Sequence, residues 1–230
     1  MTDKLPKFDG GSFTFSSPPC FAHELDPNFD GSFSVSDDRQ KLDVARWRKA
    51  ERERLIAARL TVPAEDRARC AGEVAGELDR IIRPGPGMVI SLYWPFKGEL
   101  DLRSWMASAC AKGAVIALPI VEEKAKPLTF RPWTPETPME RGVWNILQPE
   151  GSATIVPDIV ISPLVGHDPE CFRLGYGGGF FDRTLAGLTS RSMVIGVGHP
   201  SSAIPTIFPQ PHDIPMDVIV TGKGKVVRRG

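Results

Sequence analysis

Helical patterning begins near Leu42 and runs to about Leu60, in a stretch dominated by Ala, Leu, Arg and Glu. Thr61-Val62-Pro63 interrupts it, and Ala64 to Ile82 reads as a second helix, stopped by Pro84-Gly85-Pro86-Gly87. The pattern then changes to short continuous apolar runs: Met88–Trp94, Ala114–Leu118, Ile159–Ser162, Met193–Val197 and Val218–Val220. Runs of this length predict strands buried on both faces rather than helices. Helices are expected between them, from Asp101 to Ala111 and from about Gly178 to Leu188. Thr129-Phe130-Arg131-Pro132-Trp133 reads as a weaker strand, and its proline places it at an edge. Strands alternating with helices predict an α/β fold. The sheet is expected to be mostly parallel, with helices on both faces in a Rossmann-like three-layer arrangement and ligands at the carboxyl ends of the strands.

Residues 1–38 break this pattern: they are rich in Gly, Ser, Phe, Pro and Asp, and Phe8-Asp9-Gly10 is echoed by Phe29-Asp30-Gly31. Aromatics at this density argue against a solvated tail. We therefore expect an irregular arm over 1–38 and a single α/β domain over 39–230. Cys20 and His23-Glu24 lie inside the arm, where an ordered loop competes with a metal site that has no further ligands nearby. Lys plus Arg and Asp plus Glu both number 28, so charge alone points to neither nucleic acid nor a membrane surface. The absence of a spanning apolar run, of a leader-like start and of any Cys-x-x-Cys pair leads us to expect a cytoplasmic protein.

The densest chemical signal is Arg173-Leu174-Gly175-Tyr176-Gly177-Gly178-Gly179-Phe180-Phe181-Asp182-Arg183. Glycines let a backbone approach a ligand and turn its N–H groups inward, and a strand, glycine loop and helix in succession form a phosphate cradle. The loop lacks the Gly-Lys-Ser/Thr of a Walker motif, so a tight turn remains the alternative. Asp182 in the first turn of the following helix is either a helix-dipole partner or a magnesium carboxylate. Arg48 and Arg52 share a helix face, either solvated or aimed at phosphates. Glu99 follows Tyr93-Trp94-Pro95-Phe96-Lys97-Gly98 past a strand end, and it either grips a flat ligand or pairs with Lys97. His212-Asp213 suits a turn, and Asp217 at a strand start reads as a second magnesium carboxylate. No Gly-x-Ser-x-Gly or other nucleophile–base pair suggests covalent acyl chemistry.

These stretches together resemble the 5-formyltetrahydrofolate cyclo-ligase family. The resemblance rests on Pro163-Leu164-Val165-Gly166-His167-Asp168 followed by Arg173 to Arg183. Shorter matches fall in the family's order: the Arg48/Arg52 helix with Pro63–Arg67, Gly98-Glu99-Leu100-Asp101, Gly142 to Pro149, and His212-Asp213 through Thr221. It implies an ATP- and Mg²⁺-dependent ring closure of 5-formyltetrahydrofolate to 5,10-methenyltetrahydrofolate. The formyl oxygen attacks the γ-phosphate, N10 attacks the resulting imino-phosphate, and ADP and phosphate are released. By position, Arg48, Arg52, Arg173 and the backbone of Leu174, Gly175, Tyr176, Gly177, Gly178, Gly179, Phe180 and Phe181 would hold ATP. Arg173 and Asp182 would act in catalysis, Asp182 and Asp217 would hold Mg²⁺, and Tyr93, Trp94, Glu99 and Trp144 would form the folate site. A monomer or weak homodimer is expected.

The chain departs from that family at Phe180-Phe181, where Tyr-Tyr or Phe-Tyr is usual. This opens two other readings: an ATP-dependent enzyme for another formylated or amide small molecule, and a non-catalytic nucleotide-binding protein that engages a partner.

Overall fold

Pro63 divides the N-terminal helical stretch into two rods. In a computed structural model, which describes residues 37–188 and 192–230, α1 spans Asp37–Leu60 and α2 spans Ala64–Ile82. The chain divides into the units Met1–Ala45 and Arg46–Gly230, and every strand among the described residues lies in the second. Most of the arm expected over 1–38, with Cys20 and His23-Glu24, lies outside the described residues. Along α2, Cys70, Ala71, Val74, Leu78 and Ile82 form a buried stripe at helical spacing. Glu65 and Asp66 stand in its first turn and Arg80 in its last, each suited to the helix dipole.

The remaining elements are β1 (Val89–Ser91), α3 (Arg103–Ala111), β2 (Val115–Ile120), β3 (Thr129–Trp133), β4 (Met139–Arg141), β5 (Leu147–Pro149), β6 (Ile159–Pro163), β7 (Gly166–His167), β8 (Arg173–Leu174), α4 (Phe180–Gly187), β9 (Met193–Val197), β10 (Val218–Val220) and β11 (Val226–Arg228). The main sheet has the order β11-β10-β9-β6-β1-β2-β3. Its five central strands, β10 to β2, run parallel, while β11 and β3 add antiparallel edges. The proline of β3 thus sits on an edge, as its sequence predicts.

Side chains alternate between two buried faces. Ile116, Leu118, Ile161, Ile195, Val197, Val218 and Val220 pack with α2 and α3. On the other face Val194 and Ile219 pack with Leu164, Met216 and Leu185 of α4. Among the described residues, α4 covers part of that second face. A Cβ at Gly196 would collide with the Met216 sulfur, so glycine is needed there for close packing. Among the described residues no helix is long and apolar enough to cross a membrane.

The chain order matters most at β1. It pairs with β2 on one side and β6 on the other, so successive crossovers leave in opposite directions. This is the switch point at which α/β sheets form ligand crevices beyond the strands' carboxyl ends. Two segments leave the sheet there: Leu92–Glu99 after β1, and Leu164 onward, including the glycine loop, after β6.

Candidate active site at the switch point

A cavity of about 470 Å³ lies at this point, lined by residues after β1, β2 and β6 and by α1 and α4. Arg52 of α1 supports the glycine loop from beneath, its Nε donating to Gly175 O at 2.7 Å. Gly177 has φ +94° and would place a Cβ 3.3 Å from the Arg52 guanidinium carbon. A side chain there is both strained and crowded. Gly179 has φ +64° and starts α4, which begins two residues later than the sequence pattern suggests.

Arg173 enters the same cavity from β8. Its side chain is only 3% exposed and lies 2.9 Å from the Asp182 carboxylate. The contact is an ion pair whose angle falls short of an aligned hydrogen bond, so Nη2 is buried and paired with Asp182 alone. Burial pushes the guanidinium's pKa down, with Asp182 and Asp213 opposing. Burial and Arg48 likewise lower that of Arg52, with Asp213 opposing. Two cations gathered beside glycine backbone are an arrangement that suits an anion. Phe181 lies under Arg173 at 5.6 Å and Phe180 under Arg183 at 5.2 Å. The two rings therefore act as platforms that aim arginines.

Across the cavity, Glu99 is 9% exposed. Its oxygens accept the Phe96 N–H at 2.9 Å and the Tyr176 hydroxyl at 3.0 Å. Burial pushes its pKa up to about 7 against the opposing charge of Arg59 and these hydrogen bonds. Tyr93 is buried and donates to Leu100 O at 3.0 Å, which braces the turn from inside. His199 Nε2 lies 2.9 Å from Gly98 O and braces it from the β9 side. Trp94 lines the cavity with Arg103 stacked 5.0 Å from its ring. Trp144, at the tip between β4 and β5, has φ +56° and its ring is 5.5 Å from Phe180. It is 56% exposed, and a bulky residue at positive φ beside a cavity is a strained position.

The structure thus brings Arg48, Arg52, Tyr93, Trp94, Glu99, Trp144, the Arg173–Phe181 segment and Asp182 to one cavity. One expectation is corrected, and Arg48 has a further role. Asp217 does not line it. Its Oδ2 accepts the Val194 N–H at 2.8 Å, extending the parallel ladder at the amino ends of β9 and β10, opposite the crevice. Asp158 does the same for Val89. Arg48 does line the cavity, but its guanidinium donates to Ile207 O, Phe208 O and Asp213. It clamps the 207–213 loop against α1. Asp182 is also more than a loop carboxylate: it pairs with Arg173, and its Oδ1 accepts the Ile214 N–H at 3.2 Å.

One important residue escapes the sequence reading. Arg59, 5% exposed, donates to Lys97 O at 3.0 Å and to the Tyr176 hydroxyl. Its spacing of seven from Arg52 places it on the Arg48/Arg52 face of α1, a signal present in the sequence. Among the described residues no three His, Cys, Asp or Glu side chains gather as a metal cage. Asp182, which lines the cavity and pairs with Arg173, suits a magnesium ion carried in on phosphate oxygens, which needs few protein carboxylates.

Residues 44–222 match the 5-formyltetrahydrofolate cyclo-ligase family. The 5-formyltetrahydrofolate cyclo-ligase of Haemophilus influenzae is 30% identical over 140 residues, covering 58% of this chain and 75% of that one. The Escherichia coli K12 protein of the same name is 28% identical over 139 residues, covering 57% and 76%. Among solved structures, the Aquifex aeolicus 5,10-methenyltetrahydrofolate synthetase superposes with a TM-score of 0.67 at 26% identity, covering 79% of this chain and 92% of that one. The Mycoplasma pneumoniae 5,10-methenyltetrahydrofolate synthetase superposes at 0.62 with 20% identity, covering 75% and 97%, and so shares the fold.

Proposed function

The chain belongs to the 5-formyltetrahydrofolate cyclo-ligase family, and from that premise we propose that it closes 5-formyltetrahydrofolate to 5,10-methenyltetrahydrofolate, using ATP and Mg²⁺ and releasing ADP and phosphate. The observation that carries the reading is the pairing, in one cavity, of a phosphate cradle with a buried carboxylate in an aromatic turn. The cradle consists of the Gly175–Gly179 backbone, Arg52 and the buried guanidinium of Arg173. It receives the triphosphate. Glu99 accepts the amide-like N–H donors of the pterin, and Trp94 and Trp144 offer apolar faces to its ring.

In this arrangement the formyl oxygen meets the γ-phosphate between the two halves of the cavity. An amide oxygen is a poor leaving group, and phosphorylation makes it a good one. N10 of the folate then attacks the activated carbon, phosphate departs and the ring is closed. The protein contributes alignment and charge neutralisation, and no side chain need become covalently attached. Arg173 stabilises the charge that develops on the transferring phosphoryl group. Asp182 keeps Arg173 in place and is the carboxylate that would hold Mg²⁺, which supplies charge neutralisation on the phosphates when bound.

The Phe180-Phe181 departure motivates another formylated or amide substrate. The Phe181 ring, however, lies under Arg173, so the change there bears on ATP before it bears on the folate, while Phe180 lies under Arg183 and also meets Trp144, between the two halves of the cavity. Purified protein with ATP, Mg²⁺ and 5-formyltetrahydrofolate is expected to develop methenyltetrahydrofolate absorbance, with one ADP per product. Omission of any one component should abolish it. ATP turnover at the same rate with and without the folate would contradict the proposal.

A further inference from the structure

The glycine loop and the Glu99 turn are far apart in sequence, yet one side chain joins them. Tyr176 lies between Gly175 and Gly177, inside the loop proposed to hold phosphate. Its hydroxyl is 3.0 Å from Glu99 Oε1 and 3.4 Å from Phe96 O. The shorter distance and the carboxylate's charge assign its single proton to Glu99. The same oxygen accepts a hydrogen bond from Arg59 Nη2, and the Arg59 guanidinium lies 5.6 Å from the Tyr176 ring centre. Arg59 is itself anchored by Lys97 O. Tyr176 as a residue is 42% exposed, with its ring 6.1 Å from that of Phe96, so burial alone does not account for a tyrosine at this position. Its polar tip, by contrast, is enclosed between a buried cation and a buried carboxylate.

We propose that Tyr176 is a positioning residue: its hydroxyl, held by Arg59, fixes the Glu99 carboxylate for the pterin and ties the phosphate loop to the folate subsite. The proposal rests on the function proposed for the cavity. Moving the loop onto a triphosphate then moves the hydroxyl that Glu99 depends on, so each substrate senses the other through one hydrogen bond. The groups facing Glu99 are few. They are Arg59 from α1, Tyr176 from the loop, and Tyr93 from the segment after β1. Lys97 stands in its own turn, and His199 reaches that turn through Gly98 O. Burial and the neighbouring Glu99 charge raise the phenol's pKa, so it stays a donor. The Glu99 carboxylate loses a stabilising donor when the hydroxyl is removed.

The test is the Tyr176→Phe variant of the full chain, which removes one oxygen and keeps the ring. Carboxyl-¹³C glutamate NMR of the ligand-free protein follows Glu99, whose resonance is identified by its loss in Glu99→Gln. In Tyr176→Phe the Glu99 midpoint is expected to rise by about one pH unit, as loss of a tenfold preference for the charged form requires. The acid limb of kcat/KM for 5-formyltetrahydrofolate should move by the same amount. KM for the folate should rise about tenfold more than KM for ATP. A shifted Glu99 titration in a protein whose wild type does not turn over the folate would uphold the positioning and sink the cyclo-ligase reading. Superimposed titrations and superimposed acid limbs, with an active wild type, would overturn the positioning and leave that reading intact.

Discussion

Replacing Arg173 by methionine is expected to lower kcat/KM for ATP by on the order of 10³, the scale set by arginines that stabilise a transferring phosphoryl group. Methionine keeps an unbranched apolar stem over the Phe181 ring, on which the Arg173 guanidinium stacks at 5.6 Å. It removes the buried cation and its Nη2 contact with Asp182. Asp182 loses its ion-pair partner but keeps the Ile214 N–H and is 20% exposed, so the fold should persist with a loss of about 1–3 kcal/mol. Steady-state kinetics and urea unfolding separate the two effects. The double variant Arg173→Met/Asp182→Asn should recover the stability and none of the turnover. A single variant that retains turnover within a few-fold would remove Arg173 from the chemistry.

Glutamine at Glu99 is expected to act in opposite directions on activity and stability. A pterin whose N–H donors meet a neutral amide instead of a carboxylate should bind about 10²-fold more weakly, the scale of a desolvated charged hydrogen bond. Stability follows from the raised pKa. Burial takes the Glu99 carboxyl from its ordinary 4.5 to about 7 in the folded protein. A group raised in this way contributes stability that is fully present below the unfolded value. That stability is lost as pH rises through the folded value. At about 1.4 kcal/mol per unit the loss amounts to about 3 kcal/mol at most. Wild type should therefore weaken between about pH 4.5 and 7, and Glu99→Gln should not. Near pH 8 the variant should unfold at a higher urea concentration than wild type while turning over far less folate. Equal stability of the two proteins at both ends of that range would show that Glu99 ionises freely.

The sequence reading succeeds where burial dominates. Met193–Val197 and Val218–Val220 are continuous apolar runs, and the strands occupy those same residues. Pro63 and the proline-glycine run bound α2 as expected. It fails at short pairings of mixed residues. The β4–β5 hairpin, the β7–β8 pair and the antiparallel β11 carry no apolar run longer than two residues to announce them. In the site, the glycine loop, Glu99 and Arg173 are legible because their residue types are restricted by chemistry. Asp217 is misplaced although chain order holds the answer. A residue just before a parallel strand stands at its amino end, away from the crevice. The helical spacing puts Arg48 on the cavity face of α1, but its engagement by Ile207, Phe208 and Asp213 depends on a loop folding back from about 160 residues away. The Tyr176–Glu99 bond, spanning 77 residues, likewise exists only once the sheet has joined β1 to β6.

The proposed transfer of phosphate to a formyl oxygen would use both halves of the cavity, and the fate of that oxygen tests it most directly. 5-Formyltetrahydrofolate labelled with ¹⁸O in the formyl group should be turned over with ATP and Mg²⁺, and the released inorganic phosphate examined by mass spectrometry. Phosphate carrying one ¹⁸O per methenyltetrahydrofolate formed is the predicted result. Unlabelled phosphate, with the label lost to water, would contradict phosphorylation of the substrate at this site.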